Sequence, residues 1–318
     1  MVQLNRFLDR LRGKRFPFRF IYSEAYWMVD LGDHVFPAEK YRLIYERLLQ
    51  RGAKKEDFAA PEPAADEDLL LVHTSRYLKK LIAGRLSPSE IITLELPYQP
   101  ALLDFARLMV GGTIMASGLS MQDGLSLHIG GGFHHAFADH GEGFCILNDV
   151  AVALMKMKNG GTIKKGMVVD CDVHQGNGTA EIFAGDESVF TFSMHQMDIY
   201  PARKEESSLD VGFWSGDGDK KYLRQLRSHI PRMYREFQPD VIFYLAGADP
   251  YEKDQLGGLK ISLEGLKERD RIVIEEALRL KIPVVILLAG GYAHDVMDTV
   301  GIHLNTIKLA RKLGRSLL

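Results

Sequence analysis

Met167-Val168-Val169-Asp170-Cys171-Asp172-Val173-His174 joins an apolar, β-branched run to a cluster of titratable residues. A short continuous apolar run reads as a strand buried on both faces of a parallel sheet. Four more runs share this form: Leu125–Ile129, Val189–Ser193, Val241–Leu245 and Val284–Leu288. Between and around them the spacing predicts helices over Leu102–Ser117, Val150–Lys158, Lys220–Phe237, Leu263–Leu280 and Asp295–Lys312. Asn148-Asp149 and Ser262 are candidate N-caps, and Pro239 and Pro283 close two helices. The alternation predicts an α/β fold with a mostly parallel sheet. The N-terminal third reads as more helical (Glu39–Leu49, Ser75–Ala83) and is expected to pack on the sheet. Ala59-Ala60-Pro61-Glu62-Pro63-Ala64-Ala65 reads as a surface loop between helices.

Ligands of such a sheet sit beyond the carboxyl ends of its strands. The five runs are followed there by Gly130-Gly131-Gly132-Phe133-His134-His135, Asp170–His174, His195, Ala246-Gly247-Ala248-Asp249 and Ala289-Gly290-Gly291-Tyr292. In an extended segment residues i and i+2 point the same way, so Asp172 and His174 converge. With Asp249 from a second strand end they form a three-donor set with a fourth position open, the pattern of a catalytic zinc site. Asp170 reads as a turn carboxylate or as an acceptor orienting an imidazole. Adjacent side chains in an extended loop diverge, so one of His134 and His135 is expected to face the reacting centre, as general base or acid. Tyr292 reads as core filler or as an oxyanion donor. The three glycines match no phosphate-binding pattern.

The remaining 318-residue composition is unexceptional, 46% apolar and 26% charged with net charge −2. That excludes a disordered or fibrous chain and gives no global field for nucleic acid. Cys145 and Cys171 are too few for a disulfide framework or a four-thiolate zinc site. No apolar stretch reads as long enough to span a membrane, and the N-terminus lacks a signal-peptide core, so a cytoplasmic location is expected. The basic run Arg6, Arg10, Arg12, Lys14, Arg15 and Arg19 reads as a solvated face, and residues 1–16 as an extension of a single domain spanning 1–318. The charges of the Gln196–Gly212 loop (Arg203, Lys204, Glu205, Glu206) read as solvated surface at a pocket rim.

The combination GGGFHHA (130–136), GFCILNDVAVA (143–153), VVDCDVHQGNG (168–178), AGADP (246–250), DQLGGL (254–259) and LAGGY (288–292) resembles the arginase/deacetylase superfamily. Within it the chain is similar to the zinc-dependent histone deacetylases, in particular class IV and its bacterial relatives, over residues 17–310. The resemblance implies a three-layer α/β/α fold around a central sheet of about eight strands. It implies Asp172, His174 and Asp249 as metal ligands, His134 and His135 as the tandem histidines, Asp170 paired with His134, and Tyr292 as the catalytic tyrosine. Gly143, Phe144 and Leu256 would wall the acyl channel. The backbone around Asp170, Asp172 and His174, with Ser193, would form a structural K⁺ or Na⁺ site, and Phe183 a second.

The implied activity is hydrolysis of N-acyl amides, foremost N-ε-acyl-lysine, by a metal-activated water, with histidine as general base and acid and tyrosine stabilising the oxyanion. A small-molecule amidohydrolase such as an acetylpolyamine deacetylase is the alternative, and a non-catalytic metal-bearing module a remote one. Leu256 replaces the carboxylate gatekeeper of polyamine-selective relatives. Asn177 stands where many members carry Asp, so His135 is expected to be neutral at rest and the main base. Gly176 and Tyr251 occupy the positions where ureohydrolases carry the carboxylates of a second ion, so one ion is expected. Zn²⁺ suits the set; Fe²⁺, Co²⁺ or Mn²⁺ are alternatives. The expected partner is an acyl-lysine protein or peptide or a small acylated amine, with no nucleic acid or membrane, and the oligomeric state is left open.

Overall fold

The computed structural model describes residues 16–315. The chain forms β1 (Phe20–Ile21), α1 (Glu39–Gln50), β2 (Phe58–Ala59), α2 (Asp66–Leu69), α3 (Ser75–Ile82), α4 (Pro88–Leu94), α5 (Pro100–Asp123) and β3 (Leu125–His128). It continues through α6 (Asp149–Asn159), β4 (Gly166–Asp170), α7 (Asn177–Ile182), β5 (Val189–Gln196), β6 (Leu209–Phe213) and α8 (Asp219–Phe237). The last elements are β7 (Val241–Leu245), α9 (Leu263–Arg279), β8 (Val284–Leu287) and α10 (Val296–Gly314). The eight strands make one sheet in the order β2-β1-β3-β8-β7-β4-β5-β6, with every pairing parallel.

Period-two alternation sends residues to two separate cores. Val168, Phe243 and Val285 face α6 and its neighbours, among Val150, Ala153 and Leu154. Met167, Val169, Ile242, Tyr244 and Ile286 face α1, α8, α9 and α10, among Ile44, Leu226, Val273 and Ile307. The result is a three-layer α/β/α architecture.

Several expectations need correction. The N-terminal third does more than pack on the sheet: it contributes β1 and β2. These two-residue strands are too short to show a period. The Ala59–Ala65 stretch begins inside β2 instead of joining helices, and Ala64 is buried with its N–H donating to Arg107 O (2.9 Å). Phe16 is no part of an extension. It is buried against Phe20 with ring centroids 4.8 Å apart. Arg6, Arg10, Arg12, Lys14 and Arg15 lie outside the described residues. The Gln196–Gly212 segment is not all loop, since β6 begins at Leu209. Lys204 there is half-buried, and its ammonium donates to Ile199 O (2.8 Å) and to Pro201 O. Finally, α5 is by length and composition long and apolar enough to cross a membrane (24 residues, mean hydropathy 1.3), but 61% of that window is buried inside the protein. It is a core helix, and its apolar surface is explained by contacts with α6 and β3.

Candidate active site

The titratable core of the site follows the carboxyl ends of the central strands β3, β4, β7 and β8. The three-glycine turn after β3 takes positive φ at Gly131 (74°) and Gly132 (87°). A Cβ at Gly132 would lie 2.7 Å from Ala289 Cβ, so the turn presses directly on the loop after β8. A fully buried carboxylate anchors it: Asp149 accepts from Gly132 N–H (3.0 Å), Phe133 N–H (2.7 Å) and the Thr113 hydroxyl (2.5 Å). Sequence reading saw Asp149 only as a helix-cap candidate. Asn148 is the cap, accepting from Ala151 N–H at 2.9 Å.

The turn delivers His134 and His135 together. Their rings do not diverge: the centroids are 4.1 Å apart, and both rings line one cavity. The backbone after the glycines is not extended, which removes the basis for expecting one to face away. His134 Nδ1 pairs with Asp170 Oδ2 (2.6 Å), and His135 Nδ1 with Asn177 Oδ1 (2.7 Å). The electrostatic outcomes are opposite. Burial pulls His134 down, but Asp170 and Asp172 outweigh it and raise the imidazole to about 9. Burial drives His135 well below its ordinary value, helped by the charges of His134 and His174.

Asp172, His174 and Asp249 bring one ligand atom each to within 4.8 Å of one another, all buried. Asp172 Oδ2 accepts from Gly290 N–H (3.1 Å), and Asp249 Oδ1 from Val173 N–H (2.9 Å). Asp249 Oδ2 has no hydrogen-bond partner although fully buried. Burial, with Asp172 and Asp254 beside it, pushes the Asp249 carboxyl well up. Gly290 could carry no side chain, since a Cβ there would lie 2.1 Å from Asp249 Oδ2 and 2.4 Å from Asp172 Oδ2. An orphaned buried oxygen, two converging carboxylates and an imidazole form a cradle that fits a small divalent cation. Such an ion, when bound, would favour the ionised form of the Asp249 carboxyl.

The cavity measures about 260 Å³ and opens to solvent. His134, His135, Asp172, His174 and Tyr292 line its floor, and Gly143, Phe144 and Leu256 are among its walls. Gly143 has φ 48°, and a Cβ would meet the Tyr200 ring at 2.8 Å and His135 Cδ2 at 2.9 Å. Tyr292 is buried, and burial with Asp172 and Asp249 raises its phenol well above the ordinary value, so it remains a donor.

Further residues line or support the cavity. Tyr200 forms a wall, its ring edge-on to His135 at 5.0 Å. Phe36 and Glu95 line the cavity from the N-terminal third. Fully buried Lys40 donates to Ala289 O (2.8 Å) and sits 5.7 Å from the Tyr292 ring centroid. Only the chain's tertiary path brings Phe36, Glu95 and Lys40 in, so no local spacing signals them. Of the two expected cation sites, Asp170 and Ser193 are paired in register on β4 and β5 beside Asp172 and His174. Phe183 ends α7, with its side chain in the core on the α6 side.

Comparison with known proteins agrees with this geometry. The histone deacetylase domain model matches residues 34–306. The chain is 37% identical to an uncharacterised protein of Picosynechococcus sp. over 90% of this chain and 96% of that one. It is 34% identical to Histone deacetylase 2 of Arabidopsis thaliana (86% and 74%) and 31% identical to the acetoin utilization protein AcuC of Bacillus subtilis (80% and 71%). The crystal structure of HDA15 HD domain superposes with a TM-score of 0.77 at 22% identity, covering 93% of this chain and 90% of that one, which establishes the fold. The chain belongs to the histone deacetylase family, whose fold and deacetylase hydrolase chemistry its architecture accommodates.

Proposed function

We propose that the protein is a metal-dependent deacylase of N-ε-acyl-lysine, with Asp172, His174 and Asp249 holding a single Zn²⁺. The convergence of buried Asp172, His174 and Asp249 beside a cavity lined by His134, His135 and Tyr292 carries this reading. When bound, the ion supplies Lewis-acid polarisation of an acyl carbonyl and a water of lowered pKa. The chain's own groups do the rest. Gly143, Phe144, Tyr200 and Leu256 enclose the acyl chain and exclude water. His135, kept neutral, takes the proton of the attacking water through Nε2. His134, charged through Asp170, keeps positive charge beside the reacting carbonyl. The Tyr292 hydroxyl donates to the oxygen that gains negative charge. His135, now protonated, returns its proton to the leaving amine. Asp170, Asp172, His174 and Ser193 are the proposed surroundings of a structural monovalent cation, with Phe183 at a second.

Leu256 at the wall favours the lysine reading over an acetylpolyamine, because a polyamine's second ammonium finds no carboxylate at that position. Turnover of an acetyl-lysine peptide and of acetylputrescine by metal-loaded protein, side by side, tests the choice. The expected result is a higher kcat/KM for the peptide; faster turnover of acetylputrescine transfers the assignment to the polyamine class. Chelator-stripped protein is expected to be inactive toward both and to regain activity with Zn²⁺. Full activity without metal would end the proposal.

A further inference from the structure

The substitution of Asn for Asp at position 177 takes a negative charge away from His135, but a carboxylate lies one hydrogen bond further out. Asn177 Nδ2 donates to Glu142 Oε1 at 2.7 Å. The same oxygen accepts from the Tyr200 hydroxyl at 2.8 Å, and Glu142 Oε2 lies 3.4 Å from His140 Nε2. Glu142 is itself fixed by a two-way backbone bridge, its N–H donating to Cys145 O (3.0 Å) and Cys145 N–H to Glu142 O (2.8 Å).

The orientation of an amide follows from its hydrogen-bond partners. A carboxylate gathering three donors is an acceptor only. Turning the Asn177 amide over would set its oxygen against Glu142 and its N–H₂ against His135, leaving two buried groups mismatched. The nitrogen therefore faces Glu142 and the oxygen faces His135. An amide oxygen accepts only, so His135 Nδ1 must carry the hydrogen, and the lone pair of the neutral ring sits on Nε2. We propose that Glu142 is a positioning residue: acting through Asn177, it selects the tautomer of His135 that leaves Nε2 free to accept a proton. Through the Tyr200 hydroxyl, the same carboxylate holds the cavity wall packed edge-on to that ring. The proposal rests on the reading of His135 as the base.

The test uses metal-loaded, ¹⁵N-histidine-labelled protein, with the tautomer read from long-range ¹⁵N–¹H couplings of the His135 ring alongside steady-state kinetics. Wild type is expected to show the Nδ1–H form. Glu142→Leu is expected to mix the tautomers and lower kcat about 10–100-fold with little change in KM, the usual scale for losing a residue that orients an active-site histidine. Glu142→Gln can still offer an amide oxygen to Asn177 and Tyr200. It should keep the Nδ1–H form and lose no more than a few-fold. In an Asn177→Asp background the sign reverses: the new carboxylate abuts Glu142, so Glu142→Gln should raise kcat there. A wild-type tautomer in Glu142→Leu overturns the proposal whatever the activity, and so does the absence of sign reversal in the double variant. If Glu142→Leu does not fold, the Gln and Asp pair carries the test. The NMR readout needs no turnover, so an inactive wild type would count against the proposed function while the tautomer still decides this inference.

Discussion

Two fully buried aspartates, Asp249 and Asp270, behave differently. Asp270, on α9, has both oxygens satisfied: Oδ1 accepts from the Tyr244 hydroxyl (2.6 Å) and Arg269 Nε (3.0 Å), and Oδ2 from the Thr306 hydroxyl (2.6 Å). Asp249, beyond the end of β7, satisfies Oδ1 through Val173 N–H and leaves Oδ2 without a partner beside two further potential ligands. Burying a carboxylate costs several kcal/mol unless something compensates it. At Asp270 the chain supplies the compensation itself, and the cluster braces α9 and α10 against β7. At Asp249 the chain leaves one oxygen for a proton or a bound cation to compensate. Burial alone therefore does not mark a functional charge; convergence with further potential ligands does.

The contrast can be broken by substitution. The largest effect is expected from Asp249→Asn: stoichiometric metal binding and hydrolysis are both lost while the fold survives, because a group short of a partner has been neutralised. Metal analysis after dialysis, with circular dichroism, checks this; retained one-to-one metal would sink the ligand assignment. Arg269→Met should act in the reverse manner. It strips Asp270 of its cation and is expected to cost about 3–5 kcal/mol of stability, read from urea unfolding. A change within about 0.5 kcal/mol would show that the cluster braces nothing. Tyr292→Phe removes one donor at the cavity floor and should lower kcat by 10²–10³, about 3–4 kcal/mol, with metal content unchanged. Full turnover in that variant would remove Tyr292 from the chemistry.

The smallest effect concerns pH. Burial holds His128 at about 3 and His73 at about 4, against 6.5 for an unperturbed imidazole. Each takes up a proton on unfolding, so the stability both contribute is complete above pH 6.5 and declines as pH falls toward their folded values. The unfolding free energy should therefore fall with acidification over that window, and His128→Gln should flatten the slope. A slope unchanged by that substitution would show the ring to be solvated.

Much of this was legible in the sequence. Five of the strands were legible because central parallel strands read as uninterrupted apolar runs. Asp172, His174 and Asp249 were legible because each directly follows such a run. The edge strands β2 and β6, and β1 beside β2, were not: β1 and β2 are two residues long, and in β6 only Phe213 is fully buried. Glu142 and Lys40 were illegible for another reason. Glu142 meets Asn177 and Lys40 meets Ala289 only through the tertiary path of the chain, and no spacing rule encodes that. The divergence expected of His134 and His135 failed because it assumed extended backbone where three glycines at positive φ bend it.

The strand order carries a consequence for the order of events in the cell. Asp172 leaves β4, Asp249 leaves β7, and Gly290, which closes the cradle, follows β8. Neighbours in space, these segments are synthesised far apart in time. A nascent polypeptide lacking β7 and β8 has neither the second aspartate nor the backbone amide that holds the first. The cradle is thus complete only after β8 has been made, and a product ending before it would lack part of the ligand set.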